Sequence, residues 1–275
     1  MFLYCYINLC IRGFKPGIKC CMENCKRIGK VITVAFVFLS ISMLKAILFD
    51  MGSTLVIDIG LRKNFVEAMH KLLKNHINID RAKIELLFDE WDHITYREGL
   101  EEYWDLFRSM ILLKKLGLKP NPLLVEEVYE TIVNVWVESY VFEEGAVRTV
   151  KELKNLGYQI GIISNTGSHD LVYREIKRAG LTHFIDVIIT SQAVGWKKPS
   201  PKIFKITLDM IGVKPEQAVH VGDDPIADVE GAKKAGLWTV QKMKKGEKVS
   251  PYADAVVYKI VEIPKVLEEL LRRLS

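Results

Sequence analysis

Residues 46–54 read Ala-Ile-Leu-Phe-Asp-Met-Gly-Ser-Thr: four apolar residues that stop at an acid, then small and polar groups. An apolar run of this length ending at a turn signal predicts a buried strand that delivers Asp50 into a loop. Farther along, residues 59–141 change character. Apolar residues recur at spacings of three and four: Phe65, Met69, Leu72 and Leu73, then Ile84, Leu87, Phe88 and Trp91, then Leu100, Tyr103, Trp104, Phe107 and Ile111. That period predicts four or five amphipathic helices and no strand, broken at Asn121-Pro122 and resumed over 125–141.

From Gly145 the pattern alternates. Helices are predicted over 147–156, 171–179, 201–211, 226–235 and 263–274. Strands are predicted over 158–163, 187–190, 218–221, 238–241 and 255–258. Repeated strand–helix units imply an α/β fold, a doubly wound, Rossmann-like parallel sheet with helices on both faces and right-handed crossovers. The expected organisation is an α/β core of residues 43–57 and 143–275, an all-helical insert over 58–142, and a leader over 1–42.

The leader carries most of what is unusual in the composition. All five cysteines (Cys5, Cys10, Cys20, Cys21 and Cys25) lie in it. Residues 26–275 therefore hold no disulfide and no thiolate chemistry. The first 42 residues carry six basic groups against one acid, which accounts for the whole net charge of +5. The remainder balances at 33 basic against 33 acidic residues, giving no support for a nucleic-acid surface. Basic residues followed by the apolar run 31–44 resemble a signal-type segment, but 14 residues fall short of the ~20 that span a bilayer. Three readings stand for the leader: translation starting at Met43, a membrane-proximal anchor, or a Cys-rich structured extension. The first is favoured because Met43 leads straight into a strand; it carries an expectation of a cytoplasmic protein.

In an open parallel sheet, ligands bind beyond the carboxyl ends of the strands. After the first strand come Asp50, Met51, Gly52, Ser53 and Thr54. After the second come Ser164, Asn165 and Thr166, and past the third lie Lys197-Lys198-Pro199. After the fourth come Gly222-Asp223-Asp224 and Asp228. Each alone is also an ordinary helix cap or surface loop; four in this order make a site. Clustered carboxylates repel and must share a cation, for which hard oxygen ligands suit Mg²⁺. An ammonium, a hydroxyl and helix N–H donors opposite them suit an anion.

This order of residues resembles the haloacid dehalogenase superfamily over essentially all of residues 43–275. Asp50 and Thr54 match its first motif, Ser164 the second, Lys198 the third, and Asp223 with Asp228 the fourth. The helical insert resembles that family's mobile cap. The resemblance implies a Mg²⁺-dependent hydrolase of small organic phosphate esters. Asp50 would attack phosphorus, with Lys198 and Thr54 also catalytic. Asp50, the Gly52 carbonyl, Asp223 and Asp228 would hold the metal, and Ser164, Asn165 and Lys198 the substrate. A small phosphorylated metabolite is the implied partner.

The match departs at Gly52, where the family's phosphatases have an Asp that protonates the leaving oxygen. Its loss removes a contribution of about 10²–10⁴-fold. Asp224, or His93 and Glu98 of the insert, are candidate substitutes. Two alternatives accompany the phosphatase reading. One is a 2-haloacid dehalogenase-like hydrolase, for which the segment Tyr96-Arg97 to Tyr103-Trp104 faintly resembles a cap helix. The other is a non-catalytic binding lobe. Elsewhere, Trp91, Trp104 and Trp136 are expected in the insert's core, His220 as a satisfied core histidine, and the run 242–248 as a solvated loop.

Overall fold

The computed structural model describes residues 44–91 and 102–274. The expectations for residues 1–42, and for His93, Tyr96, Arg97 and Glu98, fall outside the described residues. Strand β1 (Ala46–Phe49) is buried throughout its length. It pairs in parallel with β4 (Gln159–Ser164) on one side and β6 (Ala218–Gly222) on the other. Strands β5 (Val187–Thr190), β7 (Trp238–Lys242) and β8 (Ala255–Val257) complete the order β5-β4-β1-β6-β7-β8, every pairing parallel.

The period of two along β1 explains why both faces must be covered. Ile47 and Phe49 point into one hydrophobic cluster, with Val150 of helix α5 (Ala146–Asn155), Ile176 of α6 (His169–Arg178) and Leu267 of α10 (Ile263–Leu274). Ala46 and Leu48 point into another, with Phe204 and Leu208 of α8 (Pro201–Ile211). A strand apolar on both faces needs a helical layer on each. The order reverses at β1, so the loops after β1, β4 and β6 open onto one crevice.

The insert is built from α1 (Leu61–Leu73), α2 (Arg81–Glu90), α3 (Asp105–Lys115) and α4 (Pro122–Ser139). Their apolar stripes close a separate core containing Phe65, Met69, Leu112 and Val128. Phe65 meets Trp136 edge-on at 5.7 Å, with Phe88 and Trp91 packed around them. Trp91 and Trp136 thus sit in that core, whereas Trp104 stays 48 % exposed against Tyr129.

Residues 59–141 are not free of strand. Helix α4 stops at Ser139, and β3 (Tyr140–Phe142) pairs antiparallel with β2 (Val56–Asp58), Ile57 opposite Val141. A three-residue strand directly continuing an apolar helix leaves no period of its own, so helical spacing runs through it. Tyr140-Val141-Phe142 nevertheless carries the aromatic and β-branched residues that fit a ribbon. The predicted helix 226–235 also divides, into a π-helical turn (Pro225–Glu230) and the short α9 (Gly231–Lys234).

Candidate active site

Asp50 is the residue immediately after β1, and its N–H donates to the Val221 carbonyl of β6 at 2.9 Å. The turn behind it is tight. The N–H groups of Leu55 and Val56 both reach the Met51 carbonyl, and Ser53 is left-handed at φ 55. Lys242 fixes this turn from the end of β7. Its ammonium donates to the Ser53 carbonyl at 2.7 Å and lies 2.6 Å from Glu143. Lys242 is therefore 6 % exposed, a clamp and not the first residue of a solvated loop. Spacing gives no sign of this, because the partners lie at the ends of other elements.

The distant segments do meet. Lys198 Nζ lies 2.6 Å from Asp50 Oδ1, 2.6 Å from Asp228 Oδ1 and 2.9 Å from the Ile163 carbonyl. Lys198 is 4 % exposed, with its ammonium donating to three oxygens. Asn165, just past β4, holds that lysine in place. Its amide nitrogen donates to the Lys198 carbonyl at 2.9 Å and its oxygen accepts the Lys198 N–H at 2.8 Å. Asn165 thus engages the Lys198 main chain while it also lines the cleft.

Asp228 is gripped on every side. Oδ1 takes the Lys198 ammonium and the His220 Nε2–H at 2.9 Å, and Oδ2 accepts the Asp224 N–H at 3.1 Å. His220 is a core histidine in its edge-on packing with Phe204, but it belongs to the site through Asp228. Its Nδ1 has no partner among the described residues, so there it is satisfied on one side alone. Gly222 makes room for this arrangement: a Cβ there would come within 2.2 Å of Asp228 Cγ. Asp224 caps the π-helical turn, accepting from Ile226 and Ala227 at 2.8 Å each.

Thr54 is fully buried and donates to Asp223 Oδ1 across 3.4 Å, beneath the cleft and not in its wall. The other expected residues line one cleft of about 310 Å³: Asp50, Gly52, Ser164, Asn165, Lys198, Asp223 and Asp228. The helix expected to offer N–H donors begins at His169, later than Ser164. The N–H groups of Thr166, Ser168 and Leu171 already donate to Ser191, Thr166 and Ser168.

Charge in the cleft is one-sided. Carboxylate oxygens of Asp50, Asp223 and Asp228 all lie within 4.8 Å of one another. Burial pushes the Asp50 carboxyl up; Lys198 opposes the rise and Asp228 adds to it. Burial, then the charges of Asp50 and Asp228, push Asp223 up to about 6. Burial would also raise Asp228, but Lys198 and the His220 hydrogen bond hold it well below the usual carboxylate range. Three carboxylates face one ammonium, a deficit of two positive charges. An oxygen-donor set with that deficit fits a divalent cation.

One lining residue escapes sequence reasoning. Glu175 of α6 is 2 % exposed, and burial pushes its carboxyl up to about 8. The signal was available: Glu175 interrupts the apolar stripe Leu171, Val172, Ile176.

The insert reaches the crevice edge through polar contacts. The Tyr129 hydroxyl meets Ser168 Oγ at 3.0 Å, and the Asp105 N–H donates to the Gly167 carbonyl at 2.7 Å. Arg108 bridges Asp105 and Glu102, and Glu102 accepts from the Ser191 hydroxyl at 2.8 Å.

Comparison with known proteins places this geometry. Residues 44–236 match the family model of haloacid dehalogenase-like hydrolases. A glyceraldehyde 3-phosphate phosphatase of Pyrococcus furiosus is 35% identical over 83% of this chain and 94% of its own length. One from Methanopyrus kandleri is 29% identical over 85% of this chain and 99% of its own. A crystal structure of a HAD phosphatase from Thermococcus onnurineus superposes with a TM-score of 0.63 at 26% identity, covering 82% of this chain and 98% of that one.

Proposed function

Because the chain belongs to the haloacid dehalogenase-like hydrolases, we propose that it is a Mg²⁺-dependent phosphatase of small organic phosphate monoesters. The observation that carries this reading is the meeting of Asp50, Asp223 and Asp228 around Lys198 at the floor of a cleft that also presents Ser164. Relatives named as glyceraldehyde 3-phosphate phosphatases support small sugar phosphates as the substrate class.

Asp50, the Gly52 carbonyl and Asp223 would hold the cation, with Asp228 behind them. Bound there, the cation supplies charge neutralisation for the phosphoryl oxygens and favours an ionised Asp50. Asp50 Oδ attacks phosphorus in line; a P–O bond to the enzyme forms as the ester P–O bond breaks, and the alkoxide leaves with the bonding pair and takes a proton from solvent. Lys198 and Ser164 offset the charge on the phosphoryl oxygens. Lys198 stays protonated, since Asp228 and Asp50 outweigh the effect of burial. Water then attacks the aspartyl-phosphate, releasing phosphate and restoring Asp50. Asn165, Thr54 and Lys242 act as positioning residues for Lys198, Asp223 and the turn after Asp50. The helical insert serves as the cap that covers the cleft and excludes water.

The test is hydrolysis of p-nitrophenyl phosphate with Mg²⁺ and with chelator. Activity with Mg²⁺ that chelator removes is the expected result. Chelator-insensitive release of halide from a 2-haloacid, with no phosphate released, would select the dehalogenase alternative.

A further inference from the structure

The cleft is lined by two unlike sets of residues. One is the charged set of Asp50, Lys198 and Asp223. The other is Val56, Trp136, Tyr140, Leu171 and Val172, with the carboxyl group of Glu175 among them. Nothing in the phosphoryl chemistry uses that group. Glu175 is 2 % exposed, and its Oε1 is buried without a hydrogen-bond partner among the described residues. An unpaired polar atom in such a place costs free energy unless something that enters the cleft pairs with it.

We propose that the Glu175 carboxyl is the group by which the cleft takes hold of an uncharged oxygen, hydroxyl or carbonyl, on the carbon portion of the phosphate ester. This rests on the phosphatase reading and extends it to what the second set selects. Burial keeps Glu175 protonated at neutral pH, so it presents one donor and one acceptor. A neutral acid among apolar residues suits a neutral polar group. A purely hydrocarbon ester leaves it unpaired. A cleft of about 310 Å³ suits a small ester, with its phosphate on the charged residues and its carbon portion toward α6.

The experiment compares kcat/KM for glycerol 3-phosphate and n-propyl phosphate in the wild type and in Glu175→Gln, Glu175→Asp and Glu175→Leu, with Mg²⁺. Leaving-group acidity differs between the esters but cancels when each enzyme's ratio is compared with that of the wild type. Glu175→Leu, and Glu175→Asp with its retracted carboxyl, are expected to lower the ratio by about tenfold or more, mainly through KM. Glu175→Gln, which keeps a donor and an acceptor, is expected to stay within about threefold. If the leucine variant fails to fold, the aspartate variant carries the test. Equal losses on both esters, or an unchanged ratio, overturn the proposal while leaving the phosphatase standing. A wild type that hydrolyses neither these esters nor p-nitrophenyl phosphate removes the phosphatase reading, and this proposal with it.

Discussion

Lys198 Nζ stands 2.6 Å from Asp50 Oδ1, although 148 residues separate the two in the chain. The same ammonium is equally close to Asp228, so it is the counter-ion of a buried acidic pair. Lys198→Met leaves both carboxylates buried without it. The expected outcome is a stability loss of roughly 3–5 kcal/mol by chemical denaturation and a fall in kcat of at least about 10²-fold. A variant as stable and active as the parent would show that the lysine carries neither burden.

Gly52 puts no acid at the position two residues past Asp50, so the leaving alcohol departs without a donor from that side. The rate is therefore expected to rise steeply with leaving-group acidity. Comparable kcat values on p-nitrophenyl phosphate and n-propyl phosphate, measured at saturating Mg²⁺, would show that another group donates the proton.

The backbone at Gly52 would accept that acid. A Cβ built there meets nothing within 4 Å, and the residue's φ lies outside the left-handed region. Gly52→Asp is expected to speed n-propyl phosphate hydrolysis by about 10²-fold while changing p-nitrophenyl phosphate hydrolysis little. Steady-state kinetics on the two esters decide it, and an unchanged alkyl rate counts against the reading.

Glu175 makes stability depend on pH. Its carboxyl moves from an ordinary 4.5 up to about 8 in the fold, through burial, with Arg178 pulling the other way. Arg178 itself donates to the Tyr140 carbonyl, and Arg174 on the same helix pairs with Glu130 of α4. Between about 4.5 and 8 the folded protein keeps a proton that the unfolded chain releases. Unfolding thus sheds a proton, and stability falls as pH rises through that window. Glu175→Gln is expected to be closest to wild type near pH 5 and to gain on it steadily toward about pH 8. Urea midpoints at several pH values check this; parallel profiles would contradict it.

Arg108 ties the insert to the crevice through Glu102 and Asp105, at side-chain exposures of 6%, 2% and 9%. Arg108→Leu removes one ion-pair partner from each of two buried acids and is expected to cost roughly 3 kcal/mol. Lys197, 3.3 Å from Glu102, recovers part of it. Calorimetric Tm values for the two proteins measure the difference.

The sequence by itself determined the sheet and the chemistry available to it. Fully apolar runs such as 46–49 and 187–189 fit a sheet covered on both faces, and the residues after each strand could be read off in order. Periodicity could not determine where the helical insert ends, because Tyr140–Phe142 changes partner without changing hydrophobicity. Only the tertiary structure decided which polar groups meet: Asn165 with the Lys198 backbone, Lys242 with the turn after Asp50, and His220 with Asp228, while Glu175 Oε1 meets no partner among the described residues. The physical reason is one of range. Secondary structure follows from a local period along the chain. The hydrogen bonds just named join groups 8 to 189 residues apart, and spacing carries no record of that.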